Sequence, residues 1–347
     1  MSRRKNTLLS LALIGAVVGL SYLGRVRNPG PAAPRVPVGA LEVVPVDATA
    51  ILRVDVRRLR DSKIWRRLVH ERGADRGLEQ LRETCGFDPL KNAHDLVIFV
   101  RGDAEEPLAH VGFVLRGRFD AARLSNCVGR ALNQQGAELR RTEVAGLPAI
   151  AGGRGDSRFA FVGDRALLGG SLETVRAIAR VIASGAPSAA SGDLAASYRR
   201  VEQGADLTLV AKTPARWLDS LRRAAARASP GLEAALTEPP LLSLGARLRE
   251  DLSFDLRLRL SDAASAESAR ASAQTMLAQI AQNPSLRLLG IGELPERIEL
   301  TRDGPVLRLR ASLQGALLDR TLDLVAQSLP HSRRPAGPDV EHAAHPR

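Results

Sequence analysis

Leu252–Leu260 (LSFDLRLRL) sets Ser253, Asp255, Arg257 and Arg259 between leucines and Phe254. A period of two is what a strand with one buried and one wet face requires. Ala50–Val56 (AILRVDV) alternates in the same way, and Val306–Leu313 does so with Arg308, Arg310 and Ser312 on the polar side, joined by Arg297, Glu299 and Thr301. Between such stretches lie segments with apolar residues three and four apart, the spacing of a helix stripe.

The order of these segments is told twice. After Ala50–Val56 the spacing predicts a helix over Ser62–Glu71, capped by Ser62, with Ile64, Trp65, Leu68 and Val69 inward. A second helical stretch carries Leu78, Leu81 and Cys85. Strands are then expected at Asp95–Arg101 and Ala109–Leu115, a helix at Asp120–Leu132, four short strands near 137–143, 147–151, 157–163 and 165–169, and a helix at Ser171–Ala183. Ser184–Gly192 (SGAPSAASG) breaks the pattern as a small-residue linker. The second round runs strand Leu207–Ala211, helix Pro214–Arg227, strands Leu241–Arg249 and Leu252–Leu260, helix Ala263–Ala281, strands Arg297–Thr301 and Val306–Leu313, and helix Leu317–Leu329. Sequential hairpins imply antiparallel pairing. The expected class is therefore α+β, a duplicated unit of mainly antiparallel sheet with helices on one face and the other face wet.

The first 44 residues read differently. Arg3, Arg4 and Lys5 precede Thr7–Gly24, eighteen residues without a charge, which at about 1.5 Å per residue spans roughly 27 Å, enough for a thin bilayer core. This reads as an uncleaved signal anchor, N-terminus inside, with the body in the periplasm of a bacterial inner membrane protein. The expected organisation is a transmembrane segment at 1–24, a Pro/Gly-rich linker at 25–44, α+β units at 45–184 and 185–330, and a disordered tail at 331–347.

Residues 42–115 also resemble a group of membrane-anchored bacterial envelope proteins. The likeness rests on Pro45-Val46-Asp47-Ala48-Thr49-Ala50, on Leu59, Ser62 and Trp65 at three-residue spacing, and on Gly86-Phe87-Asp88-Pro89 ahead of an apolar strand. The resemblance implies a membrane-tethered envelope protein and supplies no reaction.

Cys85-Gly86-Phe87-Asp88-Pro89 reads as a joint: Gly86 ends a helix in the left-handed conformation and Asp88-Pro89 turns the chain. No histidine or second acid at fixed spacing completes a nucleophile around Cys85. Cys85 and Cys127, on apolar faces of two helices, are candidates for a disulfide outside the cytoplasm, or else two buried thiols. His342 and His345 fall in a polar, Pro-rich tail, Arg154-Gly155-Asp156, followed by Ser157, is a tripeptide that chance explains, and Gly169-Gly170-Ser171 is a helix start. No metal site, cofactor or catalytic residue is expected, and the chain is read as non-enzymatic.

Four of the 50 basic residues are lysine, which leaves 46 arginines in a chain of net charge +12. They are dispersed among 38 acids and only 3% of residues are aromatic, so nucleic acid is not the expected partner. Two basic surfaces stand out. Arg57, Arg58, Arg60, Lys63, Arg66 and Arg67 crowd the first strand-helix junction and could face anionic lipid. Arg257, Arg259, Arg308 and Arg310 on the open sheet face could hold an envelope protein or another acidic ligand, unless Asp255 and Glu299 absorb them in an ion-pair ladder. A binding or assembly module is the leading expectation. A carrier of an apolar or lipid-like ligand, and a hydrolase whose site is assembled across the fold, are the alternatives.

Overall fold

The computed structural model describes residues 36–66, 76–88, 90–102, 110–134, 139–152, 156–228, 230–282, 284 and 292–328. Thr7–Gly24 and the tail therefore lie outside the described residues. Among the described residues no helix is long and apolar enough to cross a membrane.

The protein is α+β, and among the described residues twelve strands form one sheet. In chain order the elements are β1 (Ala48–Asp55), α1 (Val56–Asp61), α2 (Lys63–Trp65), α3 (Arg76–Cys85), β2 (Ala93–Arg101), β3 (Val111–Gly117), α4 (Ala121–Gln134), β4 (Leu139–Val144), β5 (Leu147–Gly152), β6 (Ser157–Val162), β7 (Ala166–Ser171) and α5 (Leu172–Ser184). There follow α6 (Ala195–Glu202), β8 (Leu207–Lys212), α7 (Leu218–Ala228), α8 (Pro230–Ala234), β9 (Leu241–Leu248), β10 (Leu252–Arg259), α9 (Ala263–Gln282), β11 (Ile298–Asp303), β12 (Val306–Leu313) and α10 (Gly315–Ser328). Across the sheet the order is β11-β12-β10-β9-β8-β1-β2-β3-β7-β6-β5-β4, every neighbour antiparallel. Read outward from the β1/β8 junction, each half uses the same succession, a strand, a hairpin and a reversed hairpin. The first half adds β4 and β5 at its edge.

The local joints follow the expected chemistry. Ser62 stands between α1 and α2, its hydroxyl accepting from the Trp65 amide at 3.0 Å. The first helix nevertheless starts earlier than expected, because Asp55 caps it by accepting from the Arg58 amide at 3.0 Å. Gly86 has φ +71° and donates to the Arg82 carbonyl at 2.7 Å, ending α3. Asp88 then closes a turn by accepting from the Leu90 amide at 2.9 Å, and Phe87 packs on the core beneath the Arg123 guanidinium.

The helix layers differ from the one-sided expectation. Val114 and Leu115 point to opposite faces of β3, and each is buried in a different core. On the Leu115 face, Leu124 and Cys127 of α4 and Cys85 of α3 meet Phe113, Phe161 and Leu167. On the Val114 face, Val175, Ile178 and Ile182 of α5, Tyr198 and Val201 of α6, and Val43 and Val44 meet Val97, Phe99 and Leu168. The physical reason is that β2 and β3 are apolar at successive positions, which leaves neither face fit for water. The small-residue stretch 184–192 is drawn into this second layer. Ala189 is buried, Pro45 bridges Ser188, and α6 follows where no helix was expected.

In the second half α6 covers β8 and β9 on the Val114 face at Val210 and Gly245, and beyond it only the opposite face is covered. Ala225, Ala266 and Ala269 of α7 and α9 pack on Leu307, with Leu258 and Leu300 beside them, and Leu318 and Leu322 of α10 pack on Leu313 and Ile64. All of these strand positions are on one side of the sheet. The other side carries the polar set.

Cys85 and Cys127 are joined, with Cα atoms 4.5 Å apart and a separation of 42 positions in sequence. Closing a loop of that length restricts the unfolded chain by about 4 kcal/mol in the chain-entropy model. Chemical denaturation of the full chain should therefore show about 3–4 kcal/mol less stability for Cys85→Ser than for the oxidised parent; equal stabilities under non-reducing conditions would mean that the bond contributes nothing.

Candidate functional site: an arginine-lined groove on the open sheet face

Alternation in β10 and the antiparallel register with its neighbours build the site. Asp255 lies opposite Arg310 and Arg257 opposite Arg308 across the β10–β12 pair, while Ser253 faces Ser312. On the far side of β12, Glu299 and Thr301 of β11 meet Arg310 and Arg308. On the near side, Gly245 and Arg247 of β9 meet Asp255 and Ser253.

The floor is an ion-pair cluster centred on Asp255. Arg308 binds its carboxylate with two guanidinium nitrogens, Nε to Oδ1 at 2.8 Å and Nη2 to Oδ2. Arg257 adds Nη2 to Oδ2 at 3.0 Å, and Arg310 Nε stands 4.0 Å away. Burial pushes the Asp255 carboxyl up, but hydrogen bonds and charge from Arg308 and Arg257 outweigh it and hold the group down at about 2. The same carboxylate raises the Arg308 guanidinium.

Helix α6 makes the wall. Its last turn and the following turn bring Arg200, Val201, Gln203 and Ala205 to the groove, which has a volume of about 590 Å³. The approach requires glycine at 245, since a Cβ there would sit 2.3 Å from the Val201 carbonyl oxygen. Gly204, at φ +71°, lies against the Arg247 guanidinium on the same rim. Six arginines (Arg200, Arg247, Arg257, Arg297, Arg308, Arg310) and two carboxylates (Asp255, Glu299) line the groove, a formal charge of +4. Arg200, Arg247 and Arg297 are exposed and make no ion pair among the described residues. Guanidinium forks of this kind suit carboxylate or phosphate oxygens.

The sequence-predicted residues divide accordingly. Arg257, Arg308 and Arg310 are in the groove, the first two committed to Asp255. Arg259 ends β10 outside it, so the expected set of four is not brought together. The anticipated ladder forms around Asp255. The sequence already set Arg297 on the polar side with Glu299 and Thr301; Arg247, inside β9, was not singled out, and Arg200 escaped notice because it sits in a helix that the sequence did not announce. The signal for Arg247 was available: in GARLR it continues the polar phase of β9.

The second basic surface is largely neutralised. Arg58 pairs with Asp206 at 3.3 Å and Asp55 at 3.6 Å, Arg60 binds the Leu90 carbonyl at 2.7 Å, Lys63 reaches Asp319 at 3.0 Å, and Arg66 lies 3.8 Å from Glu250. Arg57 is exposed without an ion pair among the described residues, and Arg67 lies outside them. His342, His345 and Arg154-Gly155 also lie outside.

No family model and no curated protein matches the chain. Among solved structures the fold is similar to that of TP0453. In crystal form III the TM-score is 0.47 at 13% identity, covering 84% of this chain and 100% of that one; in crystal form I the TM-score is 0.45 at 12% identity, covering 84% and 98%. At this identity and TM-score the likeness carries no functional inference. The class stands on the sheet itself, an α+β protein with one polar sheet face left open.

Because the folded Asp255 carboxyl lies below its ordinary value, its contribution to stability is full above about pH 4 and is lost as the pH falls toward 2. Asp255→Asn should flatten that part of the acid limb in a urea-midpoint series. An unchanged slope between about pH 4 and pH 2 would show that the carboxylate is not the paired centre of the floor.

Proposed function

We propose that this chain is a non-enzymatic binding module of the bacterial cell envelope, tethered by Thr7–Gly24, whose duplicated α+β body receives an anionic ligand or acidic partner in the groove of its second half. The repeated strand order outward from β1 and β8 supports the reading as a duplication. The observation that carries the binding role is the pairing of an uncovered sheet face with three exposed arginines that no described acid neutralises. A face meant only for solvent has no need to concentrate charge of one sign, and an unbalanced set attracts opposite charge. The strand faces that meet in the groove carry no nucleophile with its base, which supports a binding role over a hydrolytic one.

The test is binding of a fluorescent polyglutamate peptide by the detergent-solubilised full chain. Each guanidinium near an anionic ligand is worth about 1 kcal/mol. Arg200→Ser, Arg247→Ser and Arg297→Ser combined should therefore weaken affinity at low salt by at least about tenfold, while Arg259→Ser stays within about twofold of the parent. Equal affinity of the triple variant would remove the groove from the proposal.

A further inference from the structure

The described chain begins at Val36, and where it begins bears on what the groove meets. Arg116 Nη1 donates to the Pro37 carbonyl at 2.8 Å and also to the Val38 carbonyl, and the Arg116 guanidinium is itself fixed to Asp95. This pins the incoming linker to the end of the sheet where β2 starts and β3 stops. Antiparallel register carries that end across the molecule: Asp55 faces Asp95, Val54 faces Leu207, Leu207 faces Ala246, Arg247 faces Ser253, and Ser253 faces Ser312. Arg247, Ser312 and Arg297 are therefore at the end where the linker arrives. Arg259 and Asp303, the last residues of β10 and β11, mark the opposite end.

The length of chain between the apolar segment and Val36 makes this placement consequential. Arg25 to Arg35 is eleven residues, and an extended chain covers at most about 3.6 Å per residue, so the tether reaches no more than about 40 Å. Eight-residue β10 is about 27 Å long at roughly 3.4 Å per residue. That reach covers the length of the strand, so the tethered end can lie at the headgroup layer. It also presents Val38, 89% exposed, and the exposed Arg57 and Arg118.

Resting on the binding role and tether proposed above, we infer that the groove takes the phosphate headgroups of anionic lipid in the bilayer to which the chain is anchored. Arg200, Arg247 and Arg297 supply fork-shaped donors to phosphate oxygens, and Ser253 and Ser312 lie opposite one another among them. Eight charged side chains line the groove, which favours the charged headgroup over the acyl chain as its occupant. The tether holds the groove at high effective concentration over the headgroup layer, so that modest intrinsic affinity suffices.

The experiment uses the full chain reconstituted in phosphatidylcholine vesicles with or without about one third phosphatidylglycerol. An arginine-selective dicarbonyl reagent is applied, and modification of each arginine is followed by peptide mass spectrometry. Arg247 and Arg297 should react at least about fivefold more slowly on the anionic vesicles, a difference of about 1 kcal/mol. Arg259 should react equally on both, and about 0.5 M salt should abolish the protection. Equal rates at Arg247 and Arg297 on the two vesicles overturn the lipid assignment. If polyglutamate nonetheless protects them on neutral vesicles, the groove keeps an acidic partner and only the lipid assignment falls; if polyglutamate also fails, both readings fall. Equal protection by soluble glycerol phosphate at the same phosphate concentration would make the groove a small-anion site and contradict the bilayer as its occupant.

Discussion

The antiparallel seam between β1 and β8 is the constraint on which the remaining structure depends. It pairs Ile51 with Val210 and Val54 with Leu207, turning two strand-helix assemblies into one continuous sheet. The end of the seam is locked by Asp206, whose fully buried carboxylate accepts from the Leu248 amide at 2.8 Å and from Arg58 at 3.3 Å, while its carbonyl accepts from the Asp55 amide at 2.7 Å. Removing a carboxylate from water is costly and is tolerated here because charge and hydrogen bonds replace the lost hydration. One side chain thus ties β8, the end of β9 and α1 together, which fixes the near wall of the groove relative to its floor.

From that shared seam the halves diverge by face. Where β3 and β7 present Val114 and Leu168 to α5, β10 and β12 present Asp255, Arg257, Arg308 and Arg310. The helix that follows the last strand of each half responds to this difference. In the first half α5 lies on the Val114 face; in the second, α10 packs against Leu313 on the side opposite the arginines. Burying the arginine face under a helix would desolvate several charges against one carboxylate. The open groove is therefore a consequence of strand chemistry in a repeated topology.

Much of the sheet was legible in the sequence because period-two alternation and glycine turns are local signals. The pairs β9/β10 and β11/β12 and the caps at Ser62 and Ser171 follow from them directly. The second helical layer was not legible, although DLVIFVR, apolar at successive positions, implied that both faces of β2 are covered. Helix α6 hid for another reason: Ala195, Tyr198 and Val201 form a stripe of only three positions between charged residues, and its burial is settled by the distant Gly245. The groove shared that fate. Asp255, Arg257, Arg308, Arg310 and Arg297 could be read off three strand segments, but Arg200 joined them only when the chain folded.

Native-state hydrogen exchange of the full chain at the seam amides of Ile51, Arg53, Thr208 and Val210 bears most directly on the single-sheet body that creates the groove. If β1 and β8 weld the halves into one cooperative unit, these amides exchange only through global unfolding, as slowly as the slowest amides of β2 and β9. Exchange at the seam faster by orders of magnitude, with each half protected separately, would contradict that unity and with it the fixed wall and floor of the groove.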